Sequence, residues 1–115
     1  MQLSDERCVP CRDGAPTLTS EELDELLPSL SGWHVVDHHH FHKVWSFPDF
    51  QSALDWVNQA GAVCEAAGHH ADFSLGWGRA EAVIYTHKVG GLTRADAVLA
   101  AKLDAIGEMP AAPLT

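Results

Sequence analysis

The spacing of apolar residues divides the chain into helix-like and strand-like segments. Thr19 and Glu22 have the spacing of a capping box, and apolar residues then recur at helical intervals at Leu23, Leu26, Leu27 and Leu30. A longer stripe begins after Pro48 and stops at Gly68; it comprises Phe50, Ala53, Leu54, Val57, Ala60, Val63, Cys64 and Ala67. A last stripe of Leu99, Leu103 and Ile106 follows Thr93 and Asp96, which repeat the capping spacing, and ends at Gly107. These patterns predict three helices.

Alternation of apolar and polar residues predicts strands between the helices. Trp33 to Asp37 and the run with Phe41, Trp45 and Phe47 flank a polar turn, and residues 73–77 and 81–87 alternate on either side of a glycine turn. The order is helix, strand, strand, helix, strand, strand, helix. Short hairpins can pair such strands while the helices cover one sheet face, so we expect an α+β two-layer fold.

The length of the chain and the positions of its glycines and prolines predict one folded domain. With 115 residues it can bury one core. We expect an irregular N-terminal arm over residues 1–17, the domain over residues 18–107 and a flexible tail over residues 108–115. The uncovered sheet face and any unpaired strand edge favour self-association, so we expect a homodimer or homotetramer.

Charge and hydropathy narrow the range of partners. The formal net charge of −9 would repel a phosphate backbone, which argues against nucleic acid. No apolar run is long enough to cross a membrane, and the residues after Met1 do not resemble a signal peptide, so we expect a cytoplasmic protein. The chain has 3 cysteines, which predict no disulfide framework. Cys8 and Cys11 form a Cys-x-x-Cys pair; a zinc or redox role would need a second ligand pair or a strand-to-helix setting, and neither accompanies it.

The chain has 8 histidines, and position distinguishes two groups among them. Four lie in or beside the first predicted hairpin turn, where exposed turn residues are the simpler interpretation: His38, His39, His40 and His42. In contrast, His69 and His70 follow the end of the long helix, and a returning hairpin would bring His87 to the same place. Three imidazoles there could be surface residues, ligate zinc or transfer protons. Adjacent side chains on extended backbone point apart, which favours proton transfer over a shared metal.

The chain resembles the pterin-4a-carbinolamine dehydratase family in one spaced set of residues. Glu65 is followed after three residues by His69 and His70, nine residues separate Trp77 from His87, and eight more lead to Asp96. The resemblance extends to the segments Leu30–Trp33, Phe47–Phe50 and Thr86–Thr93, and it covers the chain from about Thr19 to Ile106. One position departs from the pattern: Ala71 stands where the family usually has proline, which would restrict the backbone of His70.

The resemblance implies a fold, a reaction and a set of roles. The fold is a four-stranded antiparallel sheet with three helices on one face. The reaction is the dehydration of 4a-hydroxytetrahydrobiopterin, the product of aromatic amino-acid hydroxylases, to the quinonoid dihydropterin, with no metal or organic cofactor. His69 and His87 would be the acid–base groups and His70 would orient the pterin. Asp96, Trp77 and Glu65 would contribute to substrate binding: Asp96 would fix an imidazole or bind the substrate, and Trp77 would form part of the cleft wall. From the residues alone, Asp96 could be a helix-capping carboxylate, Trp77 a packed aromatic and Glu65 a solvated residue.

The same resemblance includes an alternative of a different class. The family contains inactive relatives in α-carboxysome bacteria that act as assembly factors for the carbon-fixing enzyme RuBisCO. An acidic chain could serve such a binding role. The presence of all three histidines with Asp96 favours the enzyme, because an assembly factor has no chemical need for them.

Overall fold

The protein is described by a computed structural model that covers residues 3–6, 17–30 and 32–107. The helices are α1 (Ser20–Leu26), α2 (Phe50–Ala67) and α3 (Arg94–Gly107), and short 3₁₀ helices span Leu3–Asp5 and Leu27–Ser29. The strands are β1 (His34–Val36), β2 (His40–Ser46), β3 (Asp72–Gly76) and β4 (Arg79–Ile84). The predicted α+β fold is confirmed. Cys8, Cys11, most of the predicted arm and the whole tail lie outside the described residues.

Local capping explains where the helices begin and end. Thr19 and Glu22 form the expected capping box, with each side chain accepting a hydrogen bond from the other residue's backbone N–H. The α1 helix is shorter than the leucine pattern suggested because Pro28 lacks an N–H, and a 3₁₀ turn completes it. Asp49 caps α2 by accepting from the N–H of Ser52, which lowers the pKa of its carboxyl group. Gly68 ends α2 with a left-handed φ of 68°.

The four strands form one antiparallel sheet in the order β1-β2-β4-β3. Two hairpins supply the outer pairs, and β2 and β4 join them at the centre, where Phe41 faces Ile84 and Trp45 faces Ala80. The first hairpin turns through Asp37 and His38, which both have positive φ, and the second turns at Trp77 and Gly78. The sheet therefore has two edge strands, β1 and β3.

The helices cover one face of the sheet and leave the other open. On β2 and β4 alternate residues point into the core, where Phe41, Ala80, Ala82 and Ile84 are buried. Trp33 packs edge-on against Trp45 at a ring-centroid distance of 5.4 Å, and the ring of Trp56 lies 4.2 Å from that of Trp45 with the planes inclined by 36°. The α3 helix contributes the largest share of the remaining core through Val98, Leu99, Leu103 and Ile106.

The end of β4 differs from the sequence expectation. The alternating pattern extended this strand to His87, whereas β4 ends at Ile84. Thr86 instead forms an isolated bridge with Gly91, and the N–H groups of Val89 and Gly90 donate to the carbonyl oxygen of Thr86. His87 therefore lies in a tight loop immediately after the strand. This loop leads into α3.

Candidate active site

An open cleft lies at the end of the sheet where the chain passes from α2 into β3 and where it continues beyond the end of β4. It has a volume of about 280 Å³ and is lined by Gly68, His69, His70, Asp72, Tyr85, Thr86, His87 and Lys88. The antiparallel pairing of β3 with β4, in which Asp72 faces Val83, brings these two chain segments together. All three histidines singled out from the sequence line this cleft, although 17 residue numbers separate His70 from His87.

His69 forms a hydrogen bond with a buried carboxylate. Its Nε2 lies 2.6 Å from Oδ1 of Asp96, a side chain with no exposed surface, while the side chain of His69 is 17% exposed. A carboxylate can only accept, so Nε2 carries the hydrogen of this bond. The other ring nitrogen, Nδ1, is then left to exchange a proton with a substrate when the imidazole is neutral. Asp96 thus selects both the tautomer and the orientation of His69.

Asp96 is itself oriented by two buried threonines. The hydroxyl of Thr86 donates to Oδ2 of Asp96 at 2.7 Å, and the backbone N–H of Thr93 donates to the same oxygen at 2.8 Å. The hydroxyl of Thr93 lies 3.3 Å from Oδ2 and 3.0 Å from the hydroxyl of Thr86. These donors offset the cost of burying the carboxylate. The capping role expected for Asp96 and its contact with His69 therefore coexist, one on each carboxylate oxygen.

His70 has a different environment. Its Nε2 lies 2.5 Å from Oε2 of Glu65 in the last turn of α2, and both side chains are largely exposed. Glu65 lies outside the cleft lining and reaches it only through His70. Adjacent His69 and His70 are therefore anchored by different carboxylates in different directions, as expected for neighbouring side chains on non-helical backbone.

His87 is positioned by ring stacking. Its imidazole stacks on Tyr85 with ring centroids 4.2 Å apart and planes inclined by 27°. Tyr85 in turn contacts His39 from the first hairpin turn at a centroid distance of 4.5 Å. Sequence reasoning missed Tyr85 and Thr86. The sequence signal that could have identified them is their position directly before His87, at the point where the chain leaves the sheet and the orientation of the imidazole is set.

Trp77 lies at the opposite end of the sheet from the cleft. It occupies the β3–β4 turn, and its 73% exposure is high for an aromatic residue. The β3 strand rises about 3.3 Å per residue, so the turn lies at least ~13 Å from Asp72. Within one chain, Trp77 does not form part of the cleft wall that the resemblance implied.

Two histidines of the first hairpin have partners outside the cleft. His38 lies 3.2 Å from the carbonyl oxygen of Leu18, and His42 lies 2.8 Å from Oε1 of Glu81 on the open sheet face. The hydrogen bond from His42, followed by one from Arg79, lowers the pKa of Glu81. Within residues 3–6, 17–30 and 32–107, no three His, Cys, Asp or Glu side chains are arranged to hold a metal ion. The part of the chain described also contains no helix with the length and hydropathy of a membrane span.

Comparison with known proteins identifies the family. The sequence profile of the family described as pterin 4 alpha carbinolamine dehydratase matches residues 16–106. The chain belongs to this family. A protein of Rubrobacter xylanophilus named "Putative pterin-4-alpha-carbinolamine dehydratase" is 48% identical over 103 residues, which cover 90% of this chain and 96% of the relative. A protein of the same name from Rickettsia bellii is 42% identical, over 89% of this chain and 91% of its own.

A solved structure of the dehydratase family shares the fold. The crystal structure of a transcriptional coactivator/pterin dehydratase from Brucella melitensis superposes with a TM-score of 0.74 at 32% sequence identity. The alignment covers 79% of this chain and 98% of that one. The fold and the family expected from the sequence are therefore both confirmed.

Proposed function

We propose that this dehydratase-family chain is a hydro-lyase that removes water from 4a-hydroxytetrahydrobiopterin to give the quinonoid dihydropterin. The observation that carries the proposal is the cleft in which His69, His70 and His87 meet, with His69 held by the buried Asp96. Elimination of water needs a group that protonates the departing oxygen and a group that accepts a proton from the ring. Two imidazoles in one cleft can perform both tasks near neutral pH.

The contacts of each histidine suggest its role. Asp96 keeps the hydrogen of His69 on Nε2 and would stabilise the imidazolium, which suits His69 to accept the N5 proton of the pterin. His87 would then protonate the 4a-hydroxyl as the C4a–O bond breaks. The N5–H bond electrons form the C4a–N5 double bond, and water leaves. His70, braced by Glu65 at the rim, would orient the pterin ring.

Turnover of chemically generated 4a-hydroxytetrahydrobiopterin, followed by stopped-flow absorbance, tests this proposal. We expect the protein to accelerate dehydration over buffer, and His69→Ala and His87→Ala to lower kcat by about 10²–10⁴-fold because each removes one proton-transfer group. His34→Ala is the matched control, since His34 is an exposed residue of β1 outside the cleft. Far-UV circular dichroism should show that all variants stay folded.

Absence of acceleration by the unmodified protein would refute the hydro-lyase assignment. The RuBisCO assembly role implied by the family resemblance would then be tested by co-expression, with the yield of assembled RuBisCO as the readout. The same loss of turnover in His34→Ala and His87→Ala would also contradict the proposal, because activity would then not depend specifically on the residues of the cleft.

A further inference from the structure

The first hairpin turn brings two imidazole nitrogens together. Nδ1 of His39 and Nδ1 of His40 lie 3.2 Å apart, with ring centroids separated by 5.4 Å and ring planes inclined by 82°. Both side chains are partly buried, so they are held by the fold and still reached by solvent. Neither residue belongs to the lining of the cleft that contains His69, His70 and His87. The pair is therefore a separate feature of the molecule.

The partner of each ring distinguishes this pair from the other hydrogen-bonded histidines. Elsewhere the ring bonds to a carboxylate or carbonyl oxygen, as it does at His38, His42, His69 and His70. The rings of His39 and His40 face each other instead. When both imidazoles are neutral, one Nδ1 must carry the hydrogen that the other accepts. A metal ion, in contrast, accepts a lone pair from each of two neutral imidazoles.

The distance between the two nitrogens matches that of two ligands on one metal ion. Zinc–imidazole bonds are about 2.0–2.1 Å long, so two nitrogens 3.2 Å apart subtend roughly 100° at a shared ion. This angle lies between the ~90° of the tetragonal sites that suit Cu²⁺ and Ni²⁺ and the ~109° of tetrahedral Zn²⁺ sites. Within residues 3–6, 17–30 and 32–107 no third His, Cys, Asp or Glu completes the set. Water would therefore fill the other coordination positions.

Neighbouring contacts hold the two rings in place without an ion. His39 packs on the ring of Tyr85 at a centroid distance of 4.5 Å, and His40 is the first residue of β2. The turn before them has left-handed backbone at Asp37 and His38, with φ of 53° and 57°, as a two-residue hairpin turn requires. Side chains that the fold already orders lose less conformational freedom when a ligand binds. The pair is thus pre-organised for chelation.

Charge and ligand type define the ion that this pair would take. The formal net charge of −9 attracts cations, and imidazole nitrogen prefers Cu²⁺, Ni²⁺ and Zn²⁺ to Mg²⁺ or Ca²⁺. We propose that Nδ1 of His39 and Nδ1 of His40 together bind one divalent transition-metal ion, with Cu²⁺ bound most tightly. The proposal involves neither the pterin nor its cleft. Its tests use no turnover measurement, so they decide the metal site whether or not the chain dehydrates pterins.

Isothermal titration calorimetry of the full chain measures the binding. The chain carries Cys8→Ser and Cys11→Ser, because a pair of thiols would compete for the same metals. We expect a Cu²⁺ site of unit stoichiometry, weaker binding of Ni²⁺ and Zn²⁺, and no binding of Mg²⁺. The further replacements His70→Ala and His87→Ala should leave the Cu²⁺ affinity unchanged. Equal affinity for Mg²⁺, or loss of Cu²⁺ binding on replacement of the cleft histidines, would overturn the assignment.

Phenylalanine variants separate metal binding from packing. His39→Phe keeps a ring against Tyr85 and removes both nitrogens, and His40→Phe does the same for the second ligand. Each should weaken Cu²⁺ binding by at least about tenfold, since even the loss of a group that only orients a metal ligand costs 10–100-fold. His34→Ala on β1 is the matched control, because it removes an exposed histidine of the same hairpin. Thermal denaturation without metal should show that all variants fold. Undiminished Cu²⁺ affinity in either phenylalanine variant would exclude the two-histidine site.

Spectroscopy identifies the atoms that bind the ion. Electron paramagnetic resonance of the Cu²⁺ complex should show hyperfine coupling to two equatorial nitrogens, and to one in His40→Phe. In ¹⁵N NMR spectra, added Zn²⁺ should shift the Nδ1 signals of His39 and His40 and leave the hydrogen on each Nε2. Coupling to a single nitrogen in the unmodified protein, or Zn²⁺-dependent shifts confined to the histidines of the cleft, would refute the proposed ligands.

Discussion

Oδ1 of Asp96 and Nε2 of His69 lie 2.6 Å apart, and they connect the first turn of α3 to the segment that follows α2. The carboxylate is fully buried and the imidazole is mostly so, which makes this contact a charge-assisted hydrogen bond screened from water. The position of the imidazole therefore depends on how α3 docks.

Replacement of Asp96 should separate its role in positioning His69 from its contribution to the stability of the fold. Asp96→Asn keeps the shape of the side chain but replaces one accepting carboxylate oxygen with an amide N–H donor, although His69 and Thr86 both donate to this group. We therefore expect His69 to lose its fixed tautomer. The kcat for pterin dehydration should fall by at least about tenfold, and its pH profile should change shape, with a smaller effect on KM. The loss of buried hydrogen bonds should also lower the free energy of unfolding by about 1–3 kcal/mol. An unchanged pH profile would contradict the positioning role.

The hydroxyl of Thr86 should contribute more to stability and activity than its methyl group does. Thr86→Val removes one of the donors to Oδ2 of Asp96 and leaves the buried carboxylate with one hydrogen bond fewer, so we expect about 1–3 kcal/mol less stability in urea unfolding and a lower kcat. Thr86→Ser keeps the hydroxyl and should retain most of the activity. If the valine and serine variants behave alike, the hydroxyl does not orient Asp96.

Stacking on Tyr85 should govern His87. Tyr85→Leu removes the ring that lies 4.2 Å from the imidazole, and we expect kcat to fall by about 2- to 10-fold through a less ordered His87. Tyr85→Phe preserves the stacked ring and serves as the matched control, with kcat close to that of the unmodified protein. A large loss in the phenylalanine variant would instead assign a role to the hydroxyl.

The ion pair between Glu6 and Arg94 should make the attachment of residues 3–6 pH-dependent. Two hydrogen bonds, at 2.8 and 2.6 Å, join the side chains. The bond from Arg94 lowers the pKa of Glu6 below that of an ordinary glutamate, and the bond to Glu6 raises the pKa of Arg94. Because the folded-state pKa of Glu6 is depressed, its contribution is present above the unfolded pKa and is lost as pH falls through the folded value. Being near the surface, the pair contributes about 0.2–1 kcal/mol.

Unfolding titrations of Glu6→Gln and the unmodified protein between pH 3 and 8 measure this difference, with the range set by the ordinary pKa of a glutamate at about 4.3. The two stability curves should be separated at neutral pH and should converge in acid. High salt should reduce the separation. Curves that remain equally separated at every pH would contradict the ion-pair explanation.

Two glycines should respond oppositely to alanine. Gly78 in the β3–β4 turn has a φ of 68°, and a Cβ there would lie 3.0 Å from the carbonyl oxygen of Phe47. Gly78→Ala should therefore destabilise the protein by more than about 1 kcal/mol. Gly61 lies within α2 with nothing within 4 Å of an added Cβ, so Gly61→Ala should stabilise by about 0.5–1 kcal/mol. Thermal denaturation compares both; a stabilising Gly78→Ala would show that the turn tolerates a side chain.

Local sequence chemistry determined the elements of this protein. The Thr19 capping box, the Asp49 cap and the left-handed Gly68 set helix ends because each acts through hydrogen bonds or backbone conformations a few residues apart. Apolar periodicity likewise predicted the strands and the buried face of β2. The spacing of His69, His70 and His87 about a returning hairpin was enough to predict that they would meet.

Only the tertiary structure decided how the hairpins join and what holds the imidazoles. The pairing of β2 with β4 depends on side-chain packing between segments distant in sequence, such as Phe41 against Ile84, and no local signal specifies it. The bonds from Asp96 to His69 and from Thr86 to Asp96 exist because the loop after β4 and the start of α3 fold over the same point. The position of Trp77 at the far end of the sheet has the same origin: strand direction, and not distance along the chain, determines which residues share a cleft.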